Sequence, residues 1–381
     1  MRPVFLLIAY LFSLIGYTQP ALYNSGNLRI HDQGQLGFHT DLINNGIFDD
    51  NLGLVGFYGP GTLEVSGALN PVFFDVEIAA DGGVVLSTSV GVRNNTNFIS
   101  GNFLTNRAQP QLFYEFLRDA FYVGESDVSK VDGYATLSGQ QNFTFPVGDS
   151  QFVRPLILNS EGENAFARCA YFFEDPNFPS TFSPFNTQIK PRTIEAVSTF
   201  EFWRLEGTVT STVTLSWNAR SNLTFIAEEV GNIVVMGWNK AAGQWLPLGN
   251  TAIGGDLTAG FVTSGPFVPD DFEIITFGSL AVAEELLTLD NYYVSPNGDG
   301  INDFLEIPEL ELSPNNRLEI YDRRGLKVFQ MDNYQNEFTG ISNVDNLVLN
   351  RNIGLPEGLY FYIISMDDLG LNFQGFLFLE R

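Results

Sequence analysis

Residues 34–51 read GQLGFHTDLINNGIFDDN, and residues 53–67 continue as GLVGFYGPGTLEVSG. Short apolar runs alternate here with Asn44-Asn45-Gly46 and Gly59-Pro60-Gly61, residue types that turn a chain sharply. The same rhythm recurs in NSGNLRIHDQG (24–34) and GGVVLSTSVGVRNN (82–95). It predicts a β-solenoid-like or layered β region over residues 19–106. The spacing is too irregular to fix a repeat, so all-β is the firmer conclusion.

Working outward, RAQPQLFYEFLRDAFYVGE (107–125) breaks the rhythm and reads as a helix-like or irregular insertion. Strand patterning resumes in YATLSG, QNFTFPVG and FVRPLILN, and continues through TFEFWRLEG, STVTLSWNA and IVVMGWNKAAGQWLPLG to FEIITFGS. In STVTLSW, Val213, Leu215 and Trp217 fall on one face and Thr212, Thr214 and Ser216 on the other. Residues 107–280 are therefore expected to form an antiparallel β-sandwich, with Trp203, Trp217, Trp238 and Trp245 marking its core and edges. AVAEELLTL (281–289) reads as a helical turn or an extended linker, giving a linker at 281–290. Beyond it, DFLEI, NRLEIYD, LKVFQM, GLYFYIISM and NFQGFLFLE predict a small C-terminal β-sandwich over 291–381. Its turns are expected at Arg323-Arg324-Gly325 and Asp367-Asp368-Leu369-Gly370.

Composition narrows the function classes. The 381 residues are 44% hydrophobic and 17% charged, which describes a folded chain with substantial cores. Thirty-five Phe and 14 Tyr beside 37 Gly favour strands and tight turns. Nineteen Lys and Arg against 44 Asp and Glu give a formal charge of −25, which repels phosphate backbones and argues against nucleic acid. The N-terminus, MRPVFLLIAYLFSLIGYTQP, has a positive start and an apolar run too short for a membrane span. It reads as a signal peptide over 1–18, cut near Thr18/Gln19. No later segment is suited to span a bilayer as a helix, so the mature chain is expected to have no transmembrane segment. Cys169 is the single cysteine and reads as a small buried hydrophobe. His31 and His39, with Asp32 and Asp41 nearby, form no compact metal motif. Nucleophile elbow, phosphate loop and Cys/His pairing are missing from the sequence. The chain therefore reads as non-enzymatic. The alternative is a secreted carbohydrate-active hydrolase or glycan-binding protein using acidic and aromatic residues of the upstream region.

One stretch bears directly on chemistry. YYVSPNGDGINDFLEI (292–307) gathers Asn297, Asp299, Asn302 and Asp303 around two glycines. Hard oxygen ligands at this density suit a structural calcium ion, although the EF-hand order is missing. The same residues also suit a turn in which carboxylates bind backbone N–H groups.

The stretch opens a longer signature. Ser295-Pro296-Asn297-Gly298-Asp299-Gly300 and Ile301-Asn302-Asp303-Phe304 are followed by Asn316-Arg317-Leu318-Glu319-Ile320-Tyr321-Asp322-Arg323, Gly325 and Val328-Phe329. Pro356-Glu357-Gly358-Leu359-Tyr360-Phe361-Tyr362 and a last strand ending at Arg381 complete it. In this order, residues 291–381 resemble the gliding-motility-associated C-terminal domain of Bacteroidota, the type B sorting domain of the type IX secretion system. Arg324 stands where that family often has an aromatic. The resemblance implies export across both membranes to the cell surface or medium. It also implies two partners, the type IX secretion translocon and a PorP/SprF-type outer-membrane β-barrel. Upstream, GNLRIHDQGQLGFHTDLINNGIFDDN, FTFPVGDSQFVRPLIL and FWRLEG with GWNKAAGQWLPLG resemble exported β-rich surface proteins of the same bacteria, which suggests other surface proteins or glycans as further partners. Aromatics and arginines suit interfaces, so Tyr321, Arg323, Arg324, Tyr360 and Tyr362 are the candidate contacts with the secretion machinery. The function expected is that of an adhesin-like protein or an accessory to gliding and surface attachment.

Overall fold

The computed structural model describes residues 21–281, 292–308, 310, 313, 315–344, 354–366 and 371–381. The expected signal peptide, the turn at 367–370, and the linker 281–290 apart from Ala281 lie outside these residues. The chain divides into two compact units between Ser279 and Leu280. Both are built of strands, and helix among the described residues is confined to single 3-10 turns.

The first unit begins as a β-solenoid. Ala21–Asn24, Asp41–Asn44, Leu63–Ser66, Val84–Leu86 and Phe103–Leu104 stack in parallel as one sheet. Gln35–Phe38, Leu54–Gly59, Val72–Ala80 and Val90–Ser100 stack as the other. Ala21 pairs with Asp41, Leu42 with Val65, Leu63 with Val84 and Val84 with Phe103, so successive coils advance by 20, 23, 21 and 19 residues. That variation explains why the repeat is hard to read from sequence. The rings of Phe38, Phe57, Phe73 and Phe103 are buried between the sheets, with Phe38 and Phe57 stacked at 5.3 Å.

The Asn/Gly turns lock coil to coil. Buried Asn24 donates from Nδ2 to Asn44 Oδ1 at 2.7 Å, and Asn44 Nδ2 donates to Leu69 O at 2.8 Å. Each coil thus satisfies buried polar groups of the next, which would otherwise be costly. Gly46 lies so close to the preceding coil that a Cβ would meet Gly26 O at 2.0 Å. Only glycine fits there.

Residues 107–125 hold no helix: two three-residue strands lie within an otherwise irregular stretch. Tyr114–Phe116 lies parallel between Val90–Ser100 and Tyr134–Leu137, and Phe121–Val123 pairs with the distal part of Val90–Ser100. The three-residue strands are too short to show alternation, and the spacing of Leu112, Phe113, Phe116 and Leu117 imitates a helix face. Both sheets include strands on either side of residues 106 and 107, the expected boundary, because Phe103–Leu104 pairs with Val131–Asp132 as Val90–Ser100 does with Tyr114–Phe116.

In the longer sheet parallel pairing ends at Tyr134–Leu137, whose other neighbour, Ala167–Phe172, is antiparallel and is followed by Phe202–Gly207; the other sheet ends on the parallel pair Val131–Asp132 and Val147–Gly148. Phe272–Leu280, Ile233–Asn239 and Gln244–Gly249 extend the sheet in antiparallel order. A separate five-stranded antiparallel sheet runs Gln140–Phe145, Leu156–Asn164, Ser211–Trp217, Gly260–Thr263 and Ala252–Gly255. Val213, Leu215 and Trp217 are buried while Thr212, Thr214 and Ser216 lie half-buried on the opposite face, as alternation predicts. One hydrophobic cluster runs from Ile30 in the solenoid to Phe277 in this region. Trp203, Trp217 and Trp245 are buried, and Trp238 is half-buried. Cys169 is fully buried, which pushes its thiol pKa well up and makes the thiolate inaccessible.

The second unit is a five-stranded sheet in the order Tyr292–Val294, Leu371–Leu379, Gly358–Met366, Asn316–Asp322, Lys327–Asp332. The first pair is parallel and the others antiparallel. One face is covered by Leu305, Ile307, Leu310, Tyr334, Phe338 and Leu355 from the connecting segments, which close a core over Leu318, Ile320, Tyr362 and Leu377. Gly325, with φ of 80°, makes the turn after Arg323 and Arg324, and Asp322 Oδ1 accepts from the N–H groups of Arg324 and Leu326.

Candidate functional site

The acidic turn is closed by its own side chains. Asp303 accepts from Gly298 N–H through Oδ1 at 2.7 Å and from Gly300 N–H through Oδ2 at 2.8 Å. Asn297 Oδ1 accepts from Asp299 N–H, and Asp299 Oδ1 accepts from Ile301 N–H. Asn297 Nδ2 donates to Asp299 Oδ2 at 2.9 Å, and this bond with the Ile301 amide holds the Asp299 carboxyl below its ordinary range. Gly298, Gly300 and Asn302 all have positive φ. Asn302 contributes its backbone carbonyl to Ser295 N–H at 2.7 Å. Among the described residues no three His, Cys, Asp or Glu side chains converge as a metal centre. His31 and His39 are exposed, and the His39 ring lies beside that of Tyr58.

The five aromatic and arginine candidates separate into two groups. Tyr360 and Tyr362 are 5% and 1% exposed, so the surface role expected for them is corrected. Strand alternation turns both inward, where Tyr360 donates to Pro356 O at 2.7 Å and the Tyr362 ring packs edge-on against Tyr292. Tyr362 also explains Gly375 on the next strand, since a Cβ there would lie 2.4 Å from its hydroxyl. Tyr321 remains half-buried and donates to Glu319 Oε2 at 3.0 Å; burial, then this contact, raises its pKa. Arg323 and Arg324 are exposed on the turn, without an ion-pair partner among the described residues.

The sheet face opposite the core carries what sequence reasoning missed. Leu359, Phe361, Phe376, Phe378 and Tyr293 are each 39–46% exposed. Register brings them together: Tyr293 opposite Phe378, Phe378 opposite Leu359, and Phe376 opposite Phe361, which in turn faces Tyr321. The Tyr293 and Phe378 rings stack, with centroids 6.2 Å apart. A shallow depression of about 530 Å³ lies between Tyr321, Phe361, Gln374 and Phe376. Exposed apolar side chains gathered on one strand face are a feature of interaction surfaces. Its signal was present in GLYFYIISM and NFQGFLFLE, which are apolar on both faces where a one-sided sheet would alternate with polar residues.

This geometry belongs to a region with a recognisable family. Residues 287–379 match the CHU_C Type IX secretion signal domain. The chain therefore carries a sorting signal for the type IX system, which implies export to the cell surface or medium and an encounter with that translocon. No curated protein and no solved structure gives a match to the chain. No helix among the described residues is long and apolar enough to cross a membrane.

Proposed function

We propose that this is a non-catalytic, adhesin-like surface protein, accessory to gliding or attachment, whose sorting domain engages the secretion machinery through the uncovered face of its sheet. A PorP/SprF-type outer-membrane β-barrel is the partner of that face. The reading rests on one coincidence: the sorting-signal match falls on a unit that leaves five large apolar side chains exposed side by side. Covering them removes apolar area from water, at about 25 cal/mol per Å². Arg323 and Arg324, at the end of the neighbouring hairpin, add charge that steers approach to an acidic surface. The shallow depression between Tyr321, Phe361 and Phe376 lies within this face.

The test is surface protease accessibility with cell and medium fractionation. It compares the full chain, a truncation after Leu289, a Phe361→Asp/Phe376→Asp variant and an Arg323→Glu/Arg324→Glu variant. Truncation and the double aspartate are expected to leave the protein in the periplasm, and charge reversal to lower surface delivery severalfold. Thermal unfolding of the purified double-aspartate protein checks that the domain still folds. Normal delivery of the folded double aspartate would remove the docking face from the reading, and normal delivery of the truncation would remove the sorting assignment itself.

A further inference from the structure

The five-stranded sheet of the first unit has an outer face unlike the rest of this acidic chain. Asn142 lies opposite Asn159, which lies opposite Thr212; Thr144 lies opposite Ile157, then Thr214, then Thr263. Ser216 lies opposite Phe261. None of these side chains is charged, in a protein with a formal charge of −25; acid returns only further along Leu156–Asn164, at exposed Glu161 and at Glu163, which pairs with Arg118. Ile157 and Phe261 are 38% and 43% exposed, and the hydroxyls of Thr214 and Thr263 share a 2.8 Å hydrogen bond. The face is amide- and hydroxyl-rich and dotted with apolar side chains.

At one edge it descends into a groove of about 480 Å³. It is shallow and is lined by Phe121, half exposed, together with Asn142, Ile157 and Asn159. The Tyr122 ring packs against Phe98, Phe116 and Phe143 beside it. The Asn159 amide has no hydrogen-bond partner among the described residues and is exposed. Glu125 is the single charged residue lining the groove, and it is an acid.

We infer that this face and groove bind a neutral polysaccharide. Pyranose rings present C–H faces that pack on exposed aromatic and aliphatic groups, and hydroxyls that pair with amides and other hydroxyls. The face supplies both without a cation, and the negative chain around it disfavours acidic glycans. An added peptide strand fits less well. The outer edge of Gln140–Phe145 is capped where Tyr122 Oη donates to Thr144 O at 2.8 Å, and Phe121–Val123 is too short to template another strand. The inference stands apart from the export reading, because it concerns the purified protein.

Native affinity electrophoresis tests it directly, since an acidic protein migrates readily. The signal-free chain is run through gels containing mixed-linkage β-glucan, xyloglucan, galactomannan or dextran, with polygalacturonate as the acidic comparison. Retardation in at least one neutral gel is expected, weakened roughly fivefold by Phe121→Ala, the weight of one aromatic contact. Asn159→Ala is expected to weaken it as well. Both side chains are exposed, so thermal unfolding should stay at the wild-type value. Mobility unchanged in all four neutral gels would overturn the inference. So would retardation only by polygalacturonate, retardation indifferent to both variants, or self-association abolished by Phe121→Ala.

Discussion

Asp303 shows how one side chain sets the shape of a loop. Its two carboxylate oxygens each accept a backbone N–H, from Gly298 and Gly300, both at φ near 80°. Glycine tolerates that backbone, and the carboxylate supplies the acceptors it leaves open. Replacing Asp303 with Ala strands two amides, each worth about 1 kcal/mol. The expected result is a fall of roughly 4–8 °C per kcal/mol in the unfolding transition of the C-terminal unit, checked by calorimetry of the full chain. Asp303→Asn keeps one acceptor and should lose about half as much. The same bonds bear on calcium. Asp299 and Asp303 already direct their oxygens at N–H groups of their own loop, whereas calcium takes six to eight oxygens. Millimolar calcium is therefore expected to move that transition by less than about 1 °C. A larger rise would mean that the turn reorganises around the ion.

At the scale of elements, alternation was the legible part and closure was not. TVTLSW announced its two faces, and the Asn/Gly turns announced stacked short strands. The solenoid's uneven coils concealed the repeat, and strands as short as Tyr114–Phe116 carry no period of their own. For the site, the acidic turn and the exposed arginines were readable, but which tyrosines face inward depends on the phase of Gly358–Met366 within the sheet. The half-turn between Tyr360 and Phe361 decides it, and the residues covering one face come from distant connections such as Phe338. Buried charge is equally unreadable. Arg154 and Glu201, 3% and 1% exposed, meet across the strand entering Phe202–Gly207. One Arg154 nitrogen donates to both Glu201 oxygens at 2.7 Å and to Ser221 Oγ at 2.9 Å, while Tyr171 donates its hydroxyl to Glu201. Removing one partner leaves the other charge buried and alone, at a cost of about 3–5 kcal/mol. Glu201→Leu alone should destabilise the first unit by that amount in urea unfolding. Arg154→Met with Glu201→Leu should recover most of it, and a double variant as unstable as the single would show that Ser221 and Tyr171 hold the site.

At the scale of the whole molecule, charge sets the conditions under which this chain is most stable. A formal charge of −25 works against compactness at neutral pH, and salt screens such repulsion over about 8 Å at physiological strength. Several carboxylates oppose that trend. For Asp149, burial alone would raise the pKa, but the hydrogen bond from Arg220 and the amides of Phe152 and Gln151 bring it below its ordinary value. Glu319 is lowered chiefly by its hydrogen bond from Lys327, and Asp332 by its bond from Arg317. Folded pKa values below the unfolded ones mean that the folded state holds these protons more weakly. Their stabilising effect is therefore complete above the unfolded pKa, near 3.8 for Asp and 4.5 for Glu, and fades as pH falls through the folded values. Net negative charge, and with it most of the repulsion, persists above the usual carboxylate range, so salt is the stronger lever there. The expected profile is a melting temperature that changes little from pH 8 to 5 and falls steeply below about 4. At pH 7.5, adding 0.5 M NaCl should raise it by a few degrees. A melting temperature that falls with salt would mean that the ion pairs, screened in their turn, outweigh the repulsion among the acids.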